Sequence, residues 1–360
     1  MRIKIVTIVG ARPQFIKAAV LSREFQKHSD VKEIIIHTGQ HFDNNMSDIF
    51  FSQMNIPKPN YNLNINGLNH GAMTGQMLEK IESILIDESP DWVIVYGDTN
   101  TTLAGSLAAK KLKIKLIHIE SGLRSFNNLM PEEINRIITD RISDVLFCPS
   151  SNSIKNLLAE GFDKYQCEII NSGDIMLDAS KYYSDKSVKP KIDIGNEFVL
   201  CTIHRENNTD DLIKLKEIFS ALEEISKSCK VVLPLHPRTK AKLMYINYDF
   251  DRSSIKFISP LGYLEMIWML KNCNLVITDS GGLQKEAYFF NKYCITLREE
   301  TEWTELISNN VNTLCGSNYG KILSTFRLYI KLGEITNSLM LYGTGNSANI
   351  IYNKIIELSN

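Results

Sequence analysis

Short β-branched runs alternate along this chain with longer segments whose apolar residues recur at i, i+3 and i+4. The runs are "RIKIVTIVG", "EIIIHTG", "WVIVYGD", "KLIHIES", "VLFCPS" and "EIINSGD", then "EFVLCTIH", "KVVLPLH", "IKFISP", "NLVITDS", "YCITLRE" and "VNTLCG". Between them, residues 14–27, 70–88, 100–112, 131–142, 210–227 and 281–290 carry the helical spacing. Near-continuous apolar strands separated by helices predict parallel sheets covered on both faces. Right-handed crossovers then build doubly wound α/β layers.

The pattern starts twice. The first series of strands ends near residue 172, a polar stretch containing Lys and Pro follows, and a fresh strand begins at Phe198. The predicted organisation is a first Rossmann-like domain over 1–175, a second over 176–345, and a terminal helix over 346–360 that packs back on the first. The two domains are expected to face each other across a cleft through the C-terminal ends of their strands, where such sheets bind ligands.

Composition narrows the class. The 360 residues fit about two domains. A formal net charge of −1 gives no global basic field for nucleic acid or an anionic membrane. "MRIKIVTIVGARPQ" reads as a strand rather than a signal peptide, and no apolar run approaches the ~20 residues of a membrane span. A cytoplasmic protein is expected. The 7 cysteines are scattered with no C-x-x-C pair, as small buried hydrophobes in a reducing compartment would be. No Cys/His cluster has metal-ligand spacing, so no metal is expected.

The residues of chemical interest lie where strands end. Gly10-Ala11-Arg12-Pro13-Gln14 follows the first strand, Thr38-Gly39-Gln40-His41 the second, Gly97-Asp98-Thr99 the third and Glu120-Ser121-Gly122-Leu123-Arg124 the fourth. The second half offers His204-Arg205-Glu206-Asn207, His236-Pro237-Arg238, Asp279-Ser280-Gly281-Gly282 and Arg298. In "SGGLQKEA", paired glycines let the backbone approach a ligand at a helix start whose free N–H groups favour an anion. Glu286, further into that helix, could accept the hydroxyls of a ribose. The plain alternative is an ordinary strand-to-helix turn with a surface Glu. The stretch is neither a Walker loop nor G-x-G-x-x-G, which disfavours ATP hydrolysis and dinucleotide binding. In "GARPQFIK", Arg12 and Lys17 could neutralise a phosphate, or Arg12 could be a surface residue before a helix-starting Pro. His204 and His236, each near an Arg, could stabilise charge on a departing nucleotide, or could be structural.

Carboxylates concentrate in the first domain. Asp98 and Glu120 end apolar strands, which predicts partial burial and shifted pKa values. Glu132 and Arg136 are four residues apart on one helical face, a spacing also found in ordinary surface ion pairs. Each acid alone could be a cap or salt-bridge partner. Together, opposite an anion site, they predict acid/base chemistry on whatever the nucleotide carries. Thr99 is expected to cap the following helix.

With "GARPQFIKAA", "HTGQHFDNNMSDIFF", "YGDTNTTLAGSLAA", "HIESGLRS", "MPEEINRIITDRISD", "TIHRENNTDD", "LHPRT", "TDSGGLQKEA", "LREETEW" and "YGTGNSANII", the chain resembles the non-hydrolysing UDP-N-acetylglucosamine 2-epimerases from residue 10 to about 351. The resemblance implies a glycosyltransferase-B-type fold, often homodimeric, with the nucleotide held mainly by the second domain. It implies inversion at C2 of a UDP-sugar without NAD or metal, through elimination of UDP to a 2-acetamidoglucal and re-addition, for surface polysaccharide synthesis. By motif, Asp98, Glu120 and Glu132 become acid/base candidates, joined by Arg136 and His204. Arg12, Ser280, Gly281, Gly282 and Glu286 would hold UDP, and Arg298 would line the site. The chain departs from the best-known members in "HREN", where they carry His-Arg-Arg-Glu, and in "GQHFDNNM" and "NGLNHGAM", where they bind an activating second UDP-sugar. These variants, with Phe42, Asp43 and His70, resemble the branch acting on UDP-2,3-diacetamido-2,3-dideoxyglucuronate. Alternatives are a hydrolysing epimerase, a glycosyltransferase of the same fold and a non-catalytic nucleotide-sugar sensor.

Overall fold

Among the described residues of this computed structural model, which are 2–40, 56–195, 197–336 and 339–360, all strand pairs are parallel. The chain divides into two compact units, Met1–Ala179 with Met340–Asn360, and Ser180–Leu339. In the first, β1 (Ile3–Val9), β2 (Val31–His37), β3 (Tyr61–Asn62), β4 (Trp92–Tyr96), β5 (Lys115–Ile119), β6 (Val145–Cys148) and β7 (Glu168–Asn171) lie in the order β3-β2-β1-β4-β5-β6-β7. In the second, β8 (Val199–Thr202), β9 (Val231–Pro234), β10 (Lys256–Ile258), β11 (Leu275–Thr278), β12 (Cys294–Thr296) and β13 (Asn312–Leu314) lie in the order β10-β9-β8-β11-β12-β13. Both sheets are doubly wound, as the alternating pattern predicts. The two-residue β3 is an addition, too short to leave a periodic signal.

Each order reverses direction once, between β1 and β4 and between β8 and β11. At such a reversal the connections leave in opposite directions and open a crevice beyond the carboxyl ends of the strands. The topology therefore singles out four loops: those after β1 and β4, and those after β8 and β11.

The strands hold these loops still because both sheet faces are buried. In the second unit Val199, Cys201, Leu275 and Ile277 join one core with Leu215, Leu222 and Phe326. The intervening Leu200 and Val276 join another with Met269 and Leu283. Alternate residues thus supply opposite cores, and each fully buried Leu or Ile contributes roughly 1.5–3 kcal/mol. In the first unit Val6, Ile8, Val93 and Val95 pack with Met77, Ile81, Ala104 and Ala108 of two adjacent helices.

The last helix, Ser347–Ser359, belongs to the first unit. Tyr352 stacks on His28 with ring centroids 3.8 Å apart, and its hydroxyl donates to Asp30 at 3.0 Å. The Trp92 indole N–H donates to Ser359 Oγ at 2.8 Å. Chain ends far apart in sequence thereby close on one layer.

The turn after β5 combines left-handed backbone with close packing. Glu120 and Gly122 both take left-handed backbone, at φ 72° and 75°. A Cβ on Gly122 would stand 2.5 Å from the Ser153 carbonyl oxygen. Gly122→Ala is therefore expected to cost at least about 1–3 kcal/mol from backbone strain alone. Calorimetry should show a lowered Tm; an unchanged Tm would refute this account of the turn.

Candidate active site

The first unit brings its strand-end carboxylates together. Gly97 turns the chain out of β4 with φ 61°, and Glu120 leaves the adjacent β5. A Cβ on Gly97 would lie 3.2 Å from Glu120 Oε2 and 3.5 Å from Lys17 Nζ, so both side chains pass closely over this turn. Lys17, projecting from the helix Arg12–Phe25, forms an ion pair with Glu120. Arg136, from the helix Pro131–Ile142, meets Asp98 with Nη2 2.6 Å from Oδ2. Asp98 and Glu120 are thus each matched by a cation from a different helix.

Burial raises the Asp98 carboxyl above the usual carboxylate range. Arg136 and Lys17 oppose that rise, while the negative fields of Glu120 and Glu132 add to it. Glu120 and Glu132, the other two predicted acids, thus both act electrostatically on Asp98. Arg136 differs from the simple helix pairing: its intrahelical partner is Glu133, three residues back at 3.1 Å, rather than Glu132. Glu133 is itself buried and accepts the backbone N–H groups of Ser125 and Phe126. It anchors the loop after β5 while orienting Arg136.

Arg12 opens its helix beside the β1 end. Two positions further on, Gln14 links the two loops at the strand-order reversal, a role the sequence does not announce. Its Oε1 accepts the N–H groups of Gly10 at 2.8 Å and Ala11 at 3.0 Å, and its Nε2 donates to the Tyr96 carbonyl at 2.8 Å. Thr99 caps the helix Asn100–Lys111 by accepting from Thr102 N–H, as expected. Asn135 Nδ2 donates to the Asp98 carbonyl at 2.9 Å, and Asn100 reaches His70 Nδ1 at 3.1 Å. His70 is thereby drawn toward this cluster. Phe42 and Asp43 lie outside the described residues.

The second unit builds a different environment at its own reversal. Ser280 caps the helix Gly281–Phe289 by accepting from Leu283 N–H. The Trp303 indole donates to the Gly281 carbonyl at 2.9 Å and pins the turn. A Cβ on Gly281 would stand 2.5 Å from Glu302 Oε1, whereas one on Gly282 would meet nothing within 4 Å. The first glycine thus lies close under the Glu302 carboxylate, and the second leaves the helix start open. Glu286, mostly buried, accepts from the Tyr263 hydroxyl at 3.3 Å. Arg298 Nη1 lies 3.0 Å from Glu302 Oε2.

Asp279, just before the paired glycines, organises the loop after β8. Its carboxylate accepts the N–H groups of His204 at 3.1 Å and Arg205 at 3.0 Å, and the Asn208 amide at 3.2 Å. His204 Nδ1 lies 3.3 Å from the same carboxylate, while its ring stays 41 % exposed. His236 stands 5.8 Å from His204 between ring centroids and caps the next helix through Nδ1. Burial, then the positive fields of His204 and Arg238, lowers its pKa, which favours neutral His236. Among the described residues no group of three or more His, Cys, Asp or Glu could hold a metal ion.

Two doubly wound units with ligand-facing loops at each reversal define the glycosyltransferase-B type of α/β enzyme. A family model described as UDP-N-acetylglucosamine 2-epimerase matches residues 23–356, and the chain belongs to that family of isomerases. A curated relative from Pseudomonas aeruginosa, UDP-2,3-diacetamido-2,3-dideoxy-D-glucuronate 2-epimerase, is 49 % identical, covering 99 % of this chain and 100 % of the relative. UDP-N-acetylglucosamine 2-epimerase from Methanococcus maripaludis is 43 % identical over 97 % of each chain. The crystal structure of the Methanocaldococcus jannaschii UDP-GlcNAc 2-epimerase in complex with UDP-GlcNAc and UDP superposes with a TM-score of 0.89 at 39 % identity, covering 99 % and 100 % of the two chains.

The environment of Asp98 carries a stability signature. A carboxyl raised on folding adds stability below its unfolded pKa and loses that contribution as pH rises through its folded pKa. At pH 8 the ionised side chain is therefore a net liability to the fold. Asp98→Asn, which does not titrate, should melt above the wild type at pH 8, with the gain shrinking toward pH 3. Paired calorimetric scans across this range check it; a gain that grows on acidification would reverse the sign.

Proposed function

We propose that this chain is a non-hydrolysing 2-epimerase that inverts C2 of UDP-N-acetylglucosamine, giving UDP-N-acetylmannosamine, or of a close UDP-linked derivative. The observation carrying this reading is the convergence of Asp98, at the strand-order reversal, and Glu120, at the end of the adjacent strand, each with its cation, beside a raised Asp98 carboxyl. Inverting a sugar carbon that bears an acetamido group needs a base on one face, an acid on the other and a way to make the C2 proton removable. No stable carbanion forms at C2, so loss of the diphosphate at C1 accompanies proton removal. The C2–H and C1–O bonds break, a C1=C2 double bond forms, and UDP leaves with the electron pair. Re-addition of UDP at C1 and of a proton to the opposite face of C2 completes the inversion.

Asp98, Glu120 and Glu132 are the proposed proton-transfer groups. Arg136 orients Asp98 and offsets its charge, and the exposed ring of His204 supports the departing diphosphate. The open helix start at Ser280-Gly281-Gly282 suits the diphosphate, since unsatisfied N–H groups there favour an anion. Glu286 would take the ribose hydroxyls, with Arg12, Lys17, His236 and Arg298 completing the binding set. Lys17, already paired with Glu120, links anion binding to the state of that acid. The homodimeric state and a role in surface polysaccharide synthesis belong to the same proposal. The 49 % identical relative supports the diacetamido-glucuronate form as the first derivative to test.

Incubation with UDP-N-acetylglucosamine and, separately, UDP-2,3-diacetamido-2,3-dideoxyglucuronate in D2O is the direct test. Epimerisation should place deuterium at C2 with UDP still attached, and the better substrate identifies the branch. Binding of both without C2 exchange would overturn the proposal. Asp98→Asn should retain UDP binding and lose roughly 10²-fold or more in kcat, the scale of a general acid/base.

A further inference from the structure

His118, the next-to-last residue of β5, is fully buried. Its Nδ1 lies 2.7 Å from Asp140 Oδ1, and its Nε2 lies 2.7 Å from the Gly97 carbonyl oxygen. Asp140 Oδ2 also accepts from Arg124 Nη1 at 2.7 Å and from Gly122 N–H at 3.1 Å. Burial alone would push the Asp140 carboxyl up, but His118 and Arg124 outweigh it and hold it below the usual range. Asp140 is therefore an ionised acceptor, and a backbone carbonyl can only accept. Both nitrogens of His118 must donate, and a ring with two N–H groups is an imidazolium.

Charge balance agrees. Arg124 makes a two-pronged contact with Glu160 at 2.6 and 2.9 Å, from the C-terminal end of the helix Ser151–Ala159. The groups around His118 are thus Asp140 from the helix Pro131–Ile142, Arg124 from the loop after β5 and Glu160 beyond it. Cys148 on β6, close enough to feel Asp140 and Arg124, has its thiol pushed up to about 12 by burial and stays neutral. Buried Asp140 and Arg124, with Glu160 at 28 % side-chain exposure, leave one surplus negative charge. A protonated His118 cancels it, where a neutral ring would leave it uncompensated.

The carbonyl that His118 grips belongs to the Gly97–Asp98 peptide. That peptide turns on left-handed Gly97, whose own N–H is tied to the Ile119 carbonyl at 3.0 Å. We propose that His118 is a positioning residue, held as a charged imidazolium, that fixes the Gly97–Asp98 peptide and so sets the direction of the Asp98 side chain. The proposal rests on the reading of Asp98 as a proton-transfer group. The ring is sealed from solvent and acts through the backbone, so it changes where Asp98 stands without exchanging protons with a substrate.

Two measurements test it. Nitrogen-15 NMR of histidine-labelled, full-length protein, with His118 assigned by its loss in His118→Asn, should show both ring nitrogens protonated at pH 7.5. An unprotonated His118 ring nitrogen at that pH overturns the imidazolium. In kinetics, His118→Asn should lower kcat by roughly 10²-fold, the scale of an ångström-sized misplacement, with KM little changed. In the double variant with Asp98→Asn the two losses should fail to multiply, because they act through one carboxylate. Fully multiplicative losses, or a KM effect alone, overturn the positioning role. Near-normal turnover in Asp98→Asn beside a large loss in His118→Asn would instead overturn the reading of Asp98, and with it any action through that residue.

Discussion

Asp98 and Glu120 leave the sheet at the ends of adjacent strands, and a cation from a different helix meets each of them. Most of the first unit is arranged around that requirement. Two carboxylates this close resist ionising together, and burial adds to the resistance. Lys17 and Arg136 offset it, but only if their helices are fixed relative to β4 and β5. The apolar strands, the Gln14 link between the loops after β1 and β4, and the Glu133 anchor on the loop after β5 supply that fixity. The cations do not cancel the effect on Asp98, whose carboxyl remains raised. A carboxyl whose pKa is raised by burial and by neighbouring acids suits the proposed reaction, in which a proton is removed on one face and returned on the other.

Much of this was legible because strands announce their ends. A buried parallel strand is an apolar run, and the first polar residues after it mark the side where ligands bind. Asp98, Glu120, His204 and Ser280 all stand out on that basis; Asp98, His204 and Ser280 lie at the reversals in strand order, and Glu120 at the end of the next strand. The less visible residues are those whose meaning depends on a distant partner. His118 reads as one polar position inside an apolar strand, and nothing local reveals that its Nδ1 meets Asp140, 22 residues on. Glu133 looks interchangeable with Glu132 until the helix is oriented, when one faces the loop after β5 and holds Arg136. Asp279 disappears beside the glycines it precedes, although it braces the whole His204 loop.

The second unit solves the opposite electrostatic problem with the same fold. Its strand ends carry a capped helix start, histidines and arginines, the N–H groups and cations that the proposed diphosphate would need. The acid there is turned inward: Asp279 spends its acceptors on backbone and Asn208 donors and presents a histidine outward. Glu302 is likewise engaged with Arg298. In the first unit the histidine is turned inward and the acids outward. His118 lies fully buried, whereas Asp98 keeps 31 % of its side chain exposed. The two units thus share one strand topology with inverse placement: buried Asp279 lies against the partly exposed His204 ring, and buried His118 holds the peptide of partly exposed Asp98.

The consequence reaches the chemistry itself. Elimination moves negative charge onto the diphosphate while a carboxylate takes up the C2 proton, so the two ends of the reacting bond system need opposite fields. A single glycine-rich loop could not provide both, since the N–H groups that favour an anion would also hold a neighbouring acid ionised. An anion site on Ser280-Gly281-Gly282, as proposed, would leave the β4 end free of phosphate-binding duty. There burial, Glu120 and Glu132 can raise Asp98 without weakening a phosphate site. A carboxylate at the end of a buried strand, out of place in a nucleotide-binding turn, is what a proton-transfer turn requires.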